Sequence, residues 1–135
     1  MTQRTTVETW IRDYERLWRT AGTDGLAELF TPEATYLPSP WAPPVVGLPA
    51  LAEFWESHRD GPDEEFTLTA QVLAVDGPTA VVRVNVEYLE PGDRWRDLWI
   101  LELDDDGRCS AFEEWPFAPG QDSAAGQDSA GQDSQ

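Results

Sequence analysis

The 135-residue chain contains no lysine, and it has one histidine, one cysteine and one methionine. Each scarcity excludes something. A single His58 and a single Cys109 do not make a metal site of nitrogen and sulfur ligands, and a lone cysteine makes no internal disulfide. Nine basic residues, all arginine, stand against 26 acidic ones, for a formal charge of -17. Nucleic acid and anionic membrane surfaces both repel such a chain. No apolar run is long enough to span a bilayer. The opening MTQRTTVETW lacks the apolar core of a signal peptide. No glycine-rich phosphate loop occurs; Gly77 and Gly107 read as turn glycines. The expectation is a soluble, cytoplasmic protein with no metal and no cofactor.

What is present fits one domain with a single core over residues 1–119. From Gly120 the chain reads GQDSAAGQDSAGQDSQ, three copies of GQDS with no large apolar residue. Such a tail, 120–135, cannot offset its own ordering entropy and is expected to be disordered. Val7, Trp10, Ile11, Tyr14, Leu17, Trp18 and Ala21 recur at helical spacing, which predicts a first helix capped by a Thr5–Glu8 box and ended by Gly22. A short second helix starts at Asp24 with Leu26, Leu29 and Phe30 on its apolar face. A third begins near Pro49, with Leu51, Phe54, Trp55 and His58 in line.

After Gly61-Pro62 the period changes to two. Phe66 to Ala74 alternates, Asp76-Gly77 turns, and Val82 to Tyr88 alternates. Pro91-Gly92-Asp93 turns again, and strands Trp95–Leu103 and Arg108–Phe117 flank the run Asp104 to Gly107. Helices followed by a meander predict an α+β domain with the helices over one face of an antiparallel sheet. Val81, Leu73, Val75, Leu98 and Ile100 fall on the other face, which predicts a homodimer through it.

The order of elements, "LAELFTPEATY" leading into "PPVVGLPALAEFW", and the closing "DDDGRCSAFEEW" resemble the nuclear transport factor 2-like superfamily in its SnoaL-like branch. The resemblance covers about residues 7–117. It implies a cone in which N-terminal helices and a strongly curved, mixed or antiparallel sheet enclose an apolar cavity. It also implies a first short strand at Tyr36–Pro40 and a loop, Trp41–Val46, over the open end. Prolines 38, 40, 43 and 44 remove donors from that loop. Trp41 is then either a lid or wall of the cavity, or it packs on the third helix.

Members of this superfamily include ketosteroid isomerases, polyketide cyclases, epoxide hydrolases, dehydratases and plain binding modules. The ketosteroid isomerase pattern needs an Asp on the first strand, where this chain has Leu37, Pro38 and Ser39, and a later acid where it has Trp99. Only Tyr14, a candidate oxyanion donor, remains, so that chemistry is rejected. The epoxide hydrolases carry a catalytic acid at the position of Glu114, within a stretch resembling "AFEEW"; their Arg and Asp on the preceding strand do not match "RWRD" in spacing.

The last hairpin supplies its own candidate. If Leu103 faces Arg108, Trp99 lies opposite Phe112 and Asp97 opposite Glu114. Two facing carboxyls disfavour double ionisation and share a proton, which makes an acid/base unit. Against this, a bulge between Cys109 and Glu113 would turn Glu114 outward, to pair with Arg94 or Arg96. His58 is either a cavity acid/base or a partner for the last carbonyls of its helix. Trp18, Tyr36, Trp41, Trp55, Trp99 and Phe112 are the candidate aromatic wall for a small apolar molecule. Two readings stay open: a cofactor-independent enzyme using Asp97, Glu114, His58 and Tyr14, and a non-catalytic binding or dimerisation module.

Overall fold

In the computed structural model, residues 3–58, 65–89 and 94–119 are described. The expected turns at Gly61-Pro62 and Pro91-Gly92-Asp93 and the tail from Gly120 lie outside them. Helix α1 spans Arg4–Trp18, α2 Leu26–Leu29 and α3 Leu48–His58. The strands are β1 Phe30–Leu37, β2 Val45–Val46, β3 Phe66–Asp76, β4 Thr79–Tyr88, β5 Arg94–Leu103 and β6 Cys109–Phe117. They form one sheet in the order β2-β1-β6-β5-β4-β3. It is mixed: β1 runs parallel to β6, and the other neighbours are antiparallel. The architecture is α+β, with the N-terminal helices packed on one face of a sheet that is not closed into a barrel.

The apolar stripe of α1 decides which face is covered. Val7, Trp10, Ile11 and Tyr14 are buried against the sheet. Trp10 Nε1 donates to Leu29 O at 2.9 Å, tying α1 to the end of α2. The helix starts earlier than the sequence suggests. Gln3, in extended conformation, is the N-cap and makes no side-chain cap bond. Val7 N donates to Gln3 O instead, so the Thr5–Glu8 box does not form. The helix stops at Trp18, and Arg19 N closes its last turn onto Glu15 O and Arg16 O. Ala21 therefore lies beyond the stripe and is exposed.

Strand β1 begins at Phe30, not at Tyr36, and carries Pro32 through a register shift against β6 between Phe30 and Thr35. A proline is tolerated there because the irregular pairing needs no N–H from it. Phe30 is thus a strand residue rather than part of the second helix.

Two bulges set which residues face the helices. On β3 the register shifts between Val72 and Ala74. Leu73 is the extra residue, and the flip puts Val75 opposite Ala80 and against the core. The expectation that Val75 lies on the outer face fails for this reason. Arg4 Nη1 takes Val72 O at 2.7 Å beside the bulge. On β5–β6, Leu103 pairs with Cys109 and Glu102 with Ala111, leaving Ser110 as the extra residue. The loop from Asp104 to Arg108 is held by Asp104 Oδ1, which accepts from Asp106 N at 2.9 Å and Arg108 N at 3.0 Å. Gly107 takes φ 83°, a conformation costly for any residue with a Cβ. Cys109 is a fully buried core residue whose thiol is pushed up to about 12 by burial.

Candidate functional site

The hairpin register decides where the carboxyls meet. Glu114 pairs with Trp99, and Asp97 with Pro116. This differs from the direct opposition of Asp97 and Glu114 that the sequence suggests. The loop is one residue longer than assumed, and the bulge at Ser110 adds another. The shifts add to two residues, so side-chain parity is kept: Asp97, Trp99, Glu114 and Phe112 all point to the helix-covered face. The bulge does not turn Glu114 outward.

On that face lies a pocket of about 300 Å³. Tyr14 and Trp18 of α1, Tyr36 of β1, Phe54 and His58 of α3 and Trp95 of β5 form much of its wall. Asp97, Trp99 and Glu114 bring the polar groups. A wider recess of about 440 Å³ opens near Arg94, Arg96 and Phe117. Both arginines there are exposed, and it holds no buried titratable group, so the smaller, aromatic pocket is the candidate site.

Asp97 is the sole charged side chain classed as buried among the described residues, at 6% exposure. Burial raises its pKa, while hydrogen bonding from Glu114 and the indole of Trp99 act to lower it. Glu114 keeps more surface, yet it is raised well above the ordinary carboxyl value. Burial is the main cause, followed by its hydrogen bond with Asp97 and the charge of Asp97. Both carboxyls are thus held above their ordinary range, and the pair disfavours double ionisation. Trp99 Nε1 and Asp97 Oδ1 are both buried without a partner at hydrogen-bond geometry. The indole N–H thus lies close enough to be felt by both carboxyls but is not aligned on either.

Tyr14 and Tyr36 supply two more hydroxyls. Both rings lie nearly parallel to Phe112, at 5.9 and 4.8 Å between centroids. Their hydroxyls interact with each other, and burial pushes both phenols well above their ordinary value, reinforced by Glu114 and Asp97 nearby. At neutral pH both are O–H donors.

The remaining candidates divide. Trp18 and Trp99 line the pocket. Trp55 and Phe112 do not; they are buried behind the wall, Trp55 edge-on to Tyr14 at 5.3 Å and Phe112 under the two tyrosines. Trp41 is 97% exposed, which overturns both the lid and the packing on α3. The reason is local: the proline-rich loop turns through Ser39–Ala42, and only Pro38 of it reaches the pocket. His58 lines the mouth but is exposed, stacked on Phe54 at 4.1 Å, with Nδ1 3.0 Å from Phe54 O and 2.9 Å from Ser57 Oγ. That is the helix-end role, and it leaves Nε2 outside these bonds. Phe66, Tyr88 and Trp95 were not singled out from the sequence. They alternate in phase with buried valines, and that phase is the signal that places them on the inner face. No group of three potential metal ligands occurs among the described residues, and no helix there is long and apolar enough to cross a membrane.

The model of the SnoaL-like domain family matches residues 11–112. Similar solved structures include SalBIII, an epoxide hydrolase/cyclase-like enzyme of pyran ring formation in the polyether salinomycin. It is 20% identical, with TM-score 0.67 over 87% of this chain and 95% of that one. A structure assigned as a ketosteroid isomerase, from Kribbella flavida, is 20% identical, with TM-score 0.63 over 90% and 84%. A steroid delta-isomerase from Pseudomonas aeruginosa is 21% identical, with TM-score 0.61 over 87% and 83%. At these identities the likeness is one of fold. The search of curated proteins gives no match.

Proposed function

The chain belongs to the SnoaL-like domain family, and we propose that it binds a small apolar molecule in its aromatic pocket and acts on it by cofactor-independent acid/base chemistry. One observation carries this reading: two neighbouring carboxyls, Glu114 and Asp97, both held above their ordinary range by burial, face a pocket whose other walls are mostly aromatic. Solvated surface carboxyls share no proton at neutral pH; a pair that does has one member ready to give a proton and one ready to take it. Glu114 is the acid and Asp97 the base. Tyr14 and Tyr36 offer hydroxyls to an oxygen of the bound molecule. Cyclisation, isomerisation, dehydration and epoxide opening can all use such a pair. The fold likeness to a cyclase-like enzyme and to isomerases supports that range without choosing within it.

The test is carboxyl NMR of Asp97 and Glu114 together with Glu114→Gln. One carboxyl is expected to titrate well above its ordinary value. The variant is expected to keep binding an apolar fluorescent probe and to lose about 10²–10⁴ in turnover of any substrate found, the usual range for a positioned acid or base. Two carboxyls titrating at ordinary values make the pair a solvated strand edge, and a non-catalytic binding module becomes the better reading.

We also propose that a second copy of the chain docks on the outer face of the sheet. Leu98 and Trp115 are direct partners on β5 and β6 and are 40% and 37% exposed there, with Phe117 beside them at 46%. A contiguous apolar strip of this kind is uncommon on a monomer's surface.

A further inference from the structure

We propose that Trp99 is a positioning residue: its indole N–H, set beside both Asp97 and Glu114, is the fixed dipole that favours the charged form of the carboxyl pair. The inference rests on the acid/base reading of the pocket and assigns a third member to its machinery, where the aromatic wall alone would make Trp99 only a surface for ligand.

The argument is geometric. Trp99 pairs directly with Glu114 across the β5–β6 ladder, and Asp97 stands two residues earlier on the same strand and face. The indole is thus adjacent to both carboxyls. Its orientation is fixed by its neighbours: Tyr14 at 4.7 Å, Phe112 at 5.2 Å and Trp10 at 6.3 Å between ring centroids. At 2% exposure it has no water to donate to.

Among the described residues three buried side-chain atoms lack a partner, Trp55 Nε1, Trp99 Nε1 and Asp97 Oδ1, and the last two belong to side chains on one face of β5. Trp99 Nε1 is a donor without an aligned acceptor, and Asp97 Oδ1 is an acceptor without a donor. Buried polar atoms without partners are rare in native proteins and call for an explanation. Here a spare donor and a spare acceptor belong to neighbouring side chains on one strand face. When Glu114 passes its proton to a bound molecule, the pair becomes doubly ionised, and the indole N–H is the fixed dipole at hand to stabilise it. Trp10 shows the contrast: its Nε1–H is spent on Leu29 O at 2.9 Å.

Other titratable groups face the pair and must be separated from this effect. They are Tyr14 from α1, Tyr36 from β1, His58 from α3 and Tyr88 from β4. The phenols ionise far above the carboxyls. His58 carries an imidazole at the mouth of the pocket, so the test is run also in His58→Gln.

The experiment compares Trp99→Phe with Trp10→Phe in the full chain, reading the carboxyl NMR titration of Asp97 and Glu114. Both replace indole by phenyl in the same aromatic cluster, but only the first removes the N–H beside the carboxyls. Trp99→Phe is expected to raise both apparent carboxyl values, by up to about one pH unit for the lost N–H dipole beside the charge. Trp10→Phe is expected to leave them unchanged. If Trp99→Phe leaves the titration unmoved, or Trp10→Phe moves it as far, the inference is overturned.

Should Trp99→Phe fail to fold, the wild-type indole ¹H–¹⁵N signals decide. The Trp99 signal is expected to shift with the carboxyl titration. The Trp55 signal, from a buried indole that does not line the pocket, is expected to stay flat. A Trp99 signal that is flat while a carboxyl titrates high overturns this inference and spares the acid/base reading. Carboxyls at ordinary values overturn both.

Discussion

Asp97 and Glu114 stand on a diagonal of the β5–β6 ladder rather than straight across it. Directly opposed Cβ atoms stand about 4.5–5.5 Å apart, whereas diagonal neighbours are farther apart and meet only through their side-chain ends. The diagonal leaves the position across from Glu114 to Trp99, so an indole stands beside both acids.

The first prediction follows from the raised carboxyl values. Glu114 and Asp97 both lie above the values they take in an unfolded chain, because burial disfavours their charge. The native state then holds protons more tightly than the unfolded state. The stability this contributes is complete below the unfolded carboxyl range and is lost as pH rises through the folded values. Urea unfolding is expected to show stability falling from near pH 4.5, the ordinary Glu value, upward. The overall charge of -17 adds a fall of the same sign. Glu114→Gln is therefore compared with wild type across the series, and it should flatten the slope. Parallel slopes would place Glu114 in solvent.

The second concerns what fixes the register. Asp104 Oδ1 accepts two backbone N–H groups inside the hairpin loop, and Gly107 holds φ 83°. Asp104→Ala should cost about 1 kcal/mol and Gly107→Ala about 1–2 kcal/mol in thermal melts. Because the register places Asp97 near Glu114, either variant should also lower the upper carboxyl value. Melting unchanged in both would mean that strand pairing, and not the loop, sets the register.

Trp41 carries the third. Its 97% exposure predicts that Trp41→Ala changes stability by less than about 0.5 kcal/mol and leaves binding of an apolar probe to the pocket intact. A severalfold loss of probe affinity would restore Trp41 to the mouth.

The fourth tests the outer face. Sedimentation of the wild-type chain at micromolar concentration is expected to give a mass near twice 15.1 kDa. Leu98→Glu, placing a charge in the middle of the strip, should return it to that of one chain. A wild-type protein that sediments as a single chain removes the proposed interface.

The residues themselves determined the order of helices and strands, because side-chain period depends only on local backbone geometry. Val7, Trp10, Ile11 and Tyr14 keep to one helix face, and Val82, Val84 and Val86 to one strand face, whatever lies beyond them. Parity along β5 and β6 also put Asp97, Trp99, Phe112 and Glu114 on a common face, since a two-residue slip returns every side chain to the side it left. What tertiary structure alone decided was anything that depends on a count of residues through an irregularity. The bulge at Leu73 sent Val75 inward, the longer loop and the bulge at Ser110 together moved Glu114 from Asp97 to Trp99, and the loop after Pro38 carried Trp41 away from the pocket. A bulge inserts one residue into one strand and leaves periodicity intact on either side, so the sequence pattern reads the same with it or without it. The partnership of Tyr14 and Tyr36 was hidden for a related reason. It joins a helix to a strand that are distant in sequence, through the Phe112 ring beneath both, and only the packed core brings them together.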